Sequence, residues 1–312
     1  MERRMEDHQR PLGNETAILN LKDPSMKRYV FAFVFLSLIG MLPAQTQQPL
    51  TVMSYNIRLD LASDSLNAWP HRKEKFASMI RYYSPDIVGL QEAQRHQIAY
   101  LEKELPEYGW FGIGRDDGKE AGEFMAIFYR KDRLDTVKTS TFWCSPTPDR
   151  PGLGWDAMCN RVVTWGKFKD KRSKRVFYHF NTHLDHLGIT ARKESARLIS
   201  ASVDAMTKDE PVVITGDFNS RPADEPYQTI ISGSARRQFV DTKNISQVPH
   251  HGPNGTFTGF NISSYDDEPI DYIFVSKGTD VLKHATLSDS FNGRFPSDHF
   301  AVIAEILFPL FR

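Results

Sequence analysis

The chain has 312 residues, of which 40% are hydrophobic and 25% are charged, and this composition is typical of a soluble globular protein. Its 39 basic and 39 acidic side chains balance, so the chain lacks the basic excess with which non-specific nucleic-acid binders displace counterions. Two cysteines, Cys144 and Cys159, exclude a disulfide scaffold and a cysteine-based zinc site, and they leave one bridge possible.

The N-terminal 44 residues are not typical of a folded domain. Residues 1–25 are polar and aperiodic, and we interpret them as an extension upstream of the true start at Met26. Residues 26–44 place two basic residues before a short apolar run and a Pro-Ala ending, which predicts a secretory signal cleaved after Ala44. The apolar run is shorter than the roughly 20 residues of a membrane span. We therefore expect a secreted or periplasmic protein without a membrane span; an uncleaved anchor is the alternative.

Short apolar segments then recur along the chain and predict strands. Each is rich in β-branched and aromatic residues, and several are apolar almost throughout, as strands buried on both faces are. In chain order they are 50–57, 86–93, 124–130, 161–168, 176–184, 211–219, 270–276 and 299–307.

Three segments with helical spacing of apolar residues lie between these strands, at 70–83, 93–105 and 190–206. Most helices follow strands, which favours a layered α/β sandwich, and no linker divides residues 45–312, which we expect to form one domain. The basic run 167–175 is typical of a solvated hairpin tip. Two long loops, 145–160 and 246–269, are expected to form functional rims.

Polar residues of a limited set of types stand at the ends of the predicted strands. Carboxylates such as Glu92 and Asp298 offer the hard oxygen ligands that suit Mg²⁺ or Mn²⁺. The sequence "GDFNS" places Asp217 and Asn219 directly after an apolar strand, where they either form a tight turn or orient a water. The whole set comprises Asn56, Glu92, Glu123, Arg161, His183, Asp217, Asn219, Asp271, Asp298 and His299.

The motifs that carry these residues resemble, in order and spacing, those of the endonuclease/exonuclease/phosphatase superfamily. They are "SYNIR", "GLQEA", "GEF", "CNRVVTW", "NTHLDH", "GDFNS", "IDYIF" and "SDHF", and they extend over about residues 50–308. Two of them, "IDYIFVS" and "GEF", are most similar to the deadenylase-like branch and to secreted bacterial relatives. The resemblance implies a deoxyribonuclease I-like four-layered α/β sandwich, with two face-to-face, mainly antiparallel sheets flanked by helices.

The resemblance also implies roles at the metal and at the attacking water. Glu92 would be the principal ligand of Mg²⁺ or Mn²⁺, with Asn56 beside it and Asp298 as a second carboxylate toward the metal. Asp217 would orient or deprotonate the water, and Asn219 would hold the nucleophile or a phosphoryl oxygen.

Further roles concern proton transfer and phosphate charge. His299, oriented by Asp271, would be the second member of the acid/base machinery. His183, paired with Glu123, would donate to the phosphoryl oxygens. Arg161 would neutralise phosphate charge, as a guanidinium does well.

The motifs leave the substrate open. We expect a monomeric, secreted, metal-dependent hydrolase of a phosphodiester or phosphomonoester; a periplasmic nuclease and a catalytically silent phosphate-binding module are the alternatives. Asp185 and His186 are interpreted as orienting their loop, with a second metal site as the alternative. The long loops carry residues that either contact a ligand or pack the rim: Trp155, His250, His251, Phe257, Phe260 and Tyr265.

Overall fold

The structure, a computed structural model, describes residues 48–234, 236–264 and 266–309. The predicted extension (1–25), the predicted signal segment (26–44) and Tyr265 lie outside the described residues. All described residues fall within one compact unit, Gln47–Arg312. Within these ranges, no helix combines the length and the apolar character that a membrane span requires.

The described residues form strands and helices that alternate in the first part of the chain. The strands are β1 (Leu50–Asn56), β2 (Ile87–Gln91), β3 (Tyr108–Phe111), β4 (Ile127–Arg130), β5 (Leu134–Trp143), β6 (Val162–Asp170), β7 (Val176–His183), β8 (Val212–Asp217), β9 (Phe239–Asp241), β10 (Asp271–Ser276), β11 (Asp280–Leu287) and β12 (Ala301–Leu307). The α-helices are α1 (Trp69–Tyr83), α2 (Arg95–Glu104), α3 (Ile189–Met206), α4 (Glu225–Ser232) and α5 (Thr242–Ile245), and a 3-10 segment spans Ala62–Asn67.

The strands form two six-stranded sheets of mixed direction. The first sheet has the order β11-β12-β1-β2-β4-β3, and the second has the order β5-β6-β7-β8-β10-β9. Neighbouring strands are antiparallel except for β1 with β2 and β7 with β8, which are parallel. Each sheet therefore has one central parallel pair, and the carboxyl ends of both pairs carry residues of the predicted site.

Three apolar cores separate the layers and confirm the predicted α/β sandwich. One core joins α1 and α2 to the outer face of the first sheet through residues such as Phe76 and Leu101. A second joins α3 and α4 to the outer face of the second sheet through Ile199 and Ile230. The third lies between the sheets, where side chains such as Val52 and Phe177 pack together.

The three predicted helices and all eight predicted strands are confirmed, with small shifts at their ends. The four strands that the sequence did not reveal are β3, β5, β9 and β11, and they are the four edges of the two sheets. Edge strands are covered on fewer sides, so they do not need a continuous apolar run. Strand β5 shows this, because six of its ten residues are exposed.

Two smaller predictions can also be compared with the structure. The basic run 167–175 forms the end of β6 and the turn into the antiparallel β7, as expected for a hairpin. Cys144 and Cys159 are both free thiols, so the single bridge that the sequence left possible does not form.

The facing surfaces of the two sheets change in polarity along the strands. Alternate residues of β1 point toward the second sheet, and they run from Leu50 and Val52 through Ser54 to Asn56. Strand β7 shows the same order, from Phe177 through buried polar residues to His183 at its end. The space between the sheets is therefore apolar at one end and polar toward the other.

A buried hydrogen-bond network occupies the middle of this space. Asn181 of β7 accepts from Gln91 of β2 across the sheets at 2.7 Å and donates to the carbonyl of Leu90 at 2.7 Å. Thr215 of β8 donates to Asn181 Oδ1 at 3.0 Å and also bonds the His179 ring at 2.8 Å. These bonds satisfy groups whose burial without partners would cost stability.

Gly89 of β2 allows the two sheets to approach at this network, and its substitution generates a first prediction. A Cβ there would lie 2.5 Å from Asn181 Oδ1 and in collision with Thr215 Oγ1. We expect Gly89→Ala to lower the free energy of unfolding by about 1–3 kcal/mol, measured by urea denaturation. Gly152→Ala is the control, because the nearest atom to its added Cβ is 3.8 Å away. Equal stability of the two variants would contradict this account of the sheet contact.

Candidate active site

The carboxyl ends of the two parallel pairs open into a cavity of about 330 Å³. Its lining includes eight of the ten predicted site residues, and the other two, Asn56 and Asp271, are buried behind it. The eight are Glu92, Glu123, Arg161, His183, Asp217, Asn219, Asp298 and His299. The structure thus brings together residues that are more than 240 positions apart in the chain.

Asp217 lies at the centre of the cavity wall, at the last position of β8. Its Oδ2 atom accepts from Asn56 Nδ2 at 3.0 Å and lies 3.5 Å from His183 Nε2 and 3.7 Å from His299 Nε2. Its Oδ1 atom accepts from the backbone N–H of Asn219 at 2.9 Å. Burial, together with the charge of Asp271, raises the pKa of Asp217 to about 7. A carboxylate with such a pKa can exchange a proton near neutrality.

His299 and Asp271 form a buried pair beside Asp217. The ring Nδ1 lies 2.8 Å from Asp271 Oδ2, which orients the ring and leaves Nε2 toward Asp217. Burial alone would lower the pKa of His299, but the carboxylates of Asp271 and Asp217 raise it well above its usual value. The pairing predicted from the family resemblance is therefore present, and His299 is held in its cationic form.

His183 has a different partner from the one predicted. Its Nε2 lies 2.9 Å from the amide nitrogen of Asn219, which also donates to the Leu184 carbonyl. The predicted pairing with Glu123 is wrong, because Glu123 accepts from Arg115 at 2.6 Å instead. Arg115 lies eight residues before Glu123 in the same loop between β3 and β4, and the sequence did not pair the two. Burial and the charges of Arg161 and Arg115 lower the pKa of His183 well below its usual value, so this ring is neutral.

Arg161 is fixed on two of its three nitrogens. Its Nε donates to Asp185 Oδ2 at 3.3 Å, and its Nη2 lies 2.9 Å from His186 Nδ1. Its buried Nη1 has no hydrogen-bond partner among the described residues. A guanidinium held in this way presents one nitrogen to an anion in the cavity.

Asp185 organises the loop that follows β7. Its carboxylate accepts from the backbone N–H groups of Met158, Leu187 and Gly188, as well as from Arg161. These bonds and the charge of Arg161 lower the pKa of Asp185 to about 2, although burial opposes them. The arrangement agrees with the interpretation that Asp185 orients its loop and leaves little capacity for a second metal ion there.

Glu92 and Asp298 are the carboxylates predicted to hold a divalent cation. Both line the cavity, and burial together with the charge of Glu92 raises the pKa of Asp298 above its usual value. Oxygen atoms of Glu92 and Asp217 and a nitrogen of His183 also lie within 4.8 Å of one another. Bringing these acidic groups into one buried site is costly without a cation, so the donor set fits a hard divalent ion.

Asn56, predicted as a metal ligand, also bonds two carboxylates of the site. Its amide nitrogen donates to Glu92 Oε1 at 3.1 Å and to Asp217 Oδ2, while its oxygen accepts from the backbone N–H of Arg58 at 2.9 Å. The backbone engages one side of the amide oxygen, and the role of Asn56 as a metal ligand stays a prediction. Asn56 holds two carboxylates that face each other across the sheets.

Three lining residues have backbone conformations that are unusual for side chains larger than glycine. The φ angles of Arg58, Glu92 and Asn219 are 59°, 61° and 45°. Such conformations cost energy and persist where surrounding contacts impose them, and they are concentrated at functional sites. Here they turn the chain sharply after β1, β2 and β8, so that each side chain enters the cavity.

The cavity also includes residues for which the sequence predicted no site role. Arg58, Leu59 and Ile270 belong to the quoted motifs or follow them directly, and that proximity is the signal that could have identified them. Phe257, predicted to contact a ligand or to pack the rim, does line the cavity, and its ring packs edge-on against His299 with centroids 5.0 Å apart.

Comparison with known proteins identifies a family whose match extends over the site residues. The model of the Endonuclease/Exonuclease/phosphatase family matches residues 53–299. A solved structure of a family protein from Bacteroides thetaiotaomicron is 38% identical, with a TM-score of 0.80, and the match covers 85% of this chain and 100% of that one. A mannosyl-6-phosphatase from the same bacterium is 39% identical, with a TM-score of 0.78, over 83% of this chain and 100% of that one.

Curated relatives are more distant, and each is matched over only part of its length. An uncharacterized mimivirus protein is 26% identical over 50% of this chain, and Drosophila melanogaster nocturnin is 25% identical over 76% of it. The matched regions span 61% of the mimivirus protein and 42% of nocturnin.

The contacts of Asn56 predict how the charge of Asp217 is controlled. Hydrogen bonds to a carboxylate stabilise its charged form, so we expect Asn56→Ala to raise the pKa of Asp217 above 7, by about one unit. Carbon-13 NMR of labelled aspartates measures this value, with Asp217→Asn assigning the resonance. Ser54→Ala is the matched control, because it removes a buried polar partner on the same strand without touching a carboxylate. An unchanged or lower pKa in Asn56→Ala would contradict the assigned role.

Proposed function

This chain belongs to the Endonuclease/Exonuclease/phosphatase family, whose members hydrolyse phosphoester bonds, and we propose that it is a divalent-metal-dependent phosphatase of a small phosphate ester, such as a sugar phosphate. The observation that carries the proposal is one cavity in which Asp217, the His299–Asp271 pair and the free nitrogen of Arg161 converge. Its volume of about 330 Å³ is at the lower end of the roughly 300–1,000 Å³ of small-molecule sites. The likeness to a mannosyl-6-phosphatase supports the same substrate class.

Asp217 is the group that activates the water. Its Oδ2 is held by Asn56, and in the ionised form it accepts a proton from a water that attacks phosphorus. The new bond forms between the water oxygen and phosphorus while the ester P–O bond breaks on the opposite side. Asn219, whose amide N–H groups bond His183 and Leu184, retains its amide oxygen to accept from the same water.

Arg161 and His299 are the cations that face the phosphoryl group. The Nη1 of Arg161 binds a phosphoryl oxygen and compensates the charge that repels the attacking oxygen. His299, cationic through its contact with Asp271, donates a proton toward the leaving oxygen. The Asp217 carboxyl that received the water proton lies 3.7 Å from His299 Nε2, so a proton can return to the imidazole after each turnover.

Glu92 and Asp298 would hold the divalent cation, with Mg²⁺ or Mn²⁺ as the ions that oxygen ligands favour. When bound, the ion acts as a Lewis acid and stabilises negative charge on phosphoryl and leaving oxygens. Asn56 keeps Glu92 and Asp217 at fixed positions, so that the metal site and the base remain separate.

A nuclease is the second candidate, because curated relatives include the 3'-5'-exoribonuclease subunit Ccr4 of Mycosarcoma maydis. The charges around the cavity favour the smaller substrate. The lining contains two arginines and no lysine against four carboxylates, whereas a polymer backbone requires a track of basic residues.

We also propose export from the cytoplasm, on the sequence of residues 26–44 alone. N-terminal sequencing of the protein recovered from the producing cells would find Gln45 first if the signal is cleaved as proposed. Recovery of the intact N-terminus from the cytoplasm would contradict export.

Hydrolysis of a substrate panel tests the proposed function, with inorganic phosphate measured for the monoesters and the aryl alcohol or the shortened chains measured for the diester and the nucleic acids. The panel comprises mannose 6-phosphate, glucose 6-phosphate, an inositol phosphate, a bis-aryl phosphodiester and single-stranded RNA and DNA, each with Mg²⁺ or Mn²⁺ and with a chelator. We expect the sugar phosphates to be hydrolysed fastest and the chelator to abolish turnover. Asp217→Ala and His299→Ala are expected to lower kcat by about 10²–10⁴-fold without unfolding the protein.

The matched controls are Asp132→Ala and His96→Ala, which remove the same side-chain types from exposed positions. Full activity of both site variants, or no wild-type turnover with either metal, would refute the phosphatase assignment. Faster cleavage of the oligonucleotides than of the sugar phosphates would favour the nuclease.

A further inference from the structure

We propose that Arg58 is a resident cation of the active site, occupying the position beside Glu92 and Asp298 that a second metal ion would otherwise take. The site then holds a single divalent ion, and Arg58 supplies the remaining positive charge. This inference rests on the metal-dependent hydrolysis proposed above and specifies how that site is charged.

Arg58 lies between the two carboxylates that are predicted to bind metal. Its Nη1 is 3.9 Å from Glu92 Oε2, and its Nε is 3.6 Å from Asp298 Oδ2. The side chain lines the cavity and is 25% exposed, so it faces the same space as the substrate. A guanidinium at these distances offsets part of the negative charge of both carboxylates without becoming a ligand of the metal.

The guanidinium is fixed rather than free to leave. Asp64 binds it through two bonds, from Nε at 3.0 Å and from Nη2 at 3.2 Å. The Arg58 carbonyl accepts from Gln97 at 2.9 Å and from the buried Arg72 at 2.7 Å, which holds the backbone in its left-handed conformation. The neighbouring N–H of Leu59 donates to Glu92 Oε2 at 3.1 Å. The cation and the Glu92 carboxylate are therefore positioned by one rigid turn.

The buried side chain of Arg72 further fixes the turn at Arg58 through hydrogen bonds to backbone carbonyls. It is 2% exposed and donates to carbonyls on both sides of the site, those of Ile57 and Pro296, as well as to Asn67. Ile57 immediately precedes Arg58, and Pro296 lies two residues before Asp298. One buried side chain thus fixes the spacing between Arg58 and the carboxylate whose charge it partly offsets.

The distribution of charge indicates one metal ion rather than two. Four carboxylates line the cavity, and Arg58 and Arg161 are the two arginines among the lining residues. Arg161 is directed to Asp185 and His186, on the other side of the cavity from β1. A second dication near Glu92 and Asp298 would have to approach the Arg58 guanidinium, and like charges in a partly buried site repel strongly.

The number of Mn²⁺ ions bound per chain tests the proposal directly, without any substrate. The purified full chain is titrated with Mn²⁺, and free Mn²⁺ is followed by electron paramagnetic resonance. We expect one ion per chain in the wild type and two in Arg58→Gln and Arg58→Met, which remove the charge. Arg58→Lys, which keeps it, is expected to bind one. The matched control is Arg81→Gln, which removes an arginine from a surface ion pair and is expected to bind one.

Two wild-type ions would overturn the proposal whatever the variants do. One ion of unchanged affinity in folded Arg58→Gln and Arg58→Met would overturn it as well. No Mn²⁺ bound by the wild type would instead remove the metal from the proposed function, and this outcome is distinct from the other two.

Discussion

The amide of Asn56 joins the two sheets at the carboxyl ends of their parallel strand pairs, and the rest of the site depends on this contact. Its nitrogen donates to Glu92, which follows the strand beside it, and to Asp217 at the end of β8 in the opposite sheet. Both parallel pairs end here, so the carboxylates of Glu92 and Asp217 lie on opposite sides of one hydrogen-bonding group. Without that group, two buried carboxylates would face each other, which is unfavourable in a site of low dielectric.

The change of polarity between the sheets offsets the free-energy cost of burying such a site. Apolar packing at one end stabilises the sandwich, and the Gln91–Asn181–Thr215 network links the two sheets through buried hydrogen bonds. The left-handed turns at Glu92 and Asn219 follow Gln91 and Thr215 of this network by one and four residues along the chain. The ionisable residues are therefore held by satisfied hydrogen bonds beneath them, which fixes the spacing between Asp217, His299 and His183 before a substrate binds.

The sequence predicted the interior strands of the two sheets better than the edge strands. Interior strands such as β8 carry continuous apolar runs because both faces are buried, whereas the edge strand β5 is largely exposed and gives no such signal. Site residues were found because they stand at strand ends, and the His299–Asp271 pair was predicted, but other partners were not. The pairing of Glu123 with Arg115, and the turning of the Asn56 oxygen toward Arg58, depend on how loops fold back. Both contacts lie within a single turn or loop, whose irregular backbone leaves no periodic pattern in the sequence.

The central claim is that a water activated by Asp217 attacks phosphorus directly, with no phosphorylated enzyme. The stereochemical outcome at phosphorus tests this most directly. A phosphorothioate ester made chiral by oxygen isotopes is hydrolysed by the metal-loaded protein, and the configuration of the released thiophosphate is determined. One in-line displacement predicts inversion of configuration. Retention would require two successive displacements through an enzyme-bound phosphoryl group, and it would contradict the account.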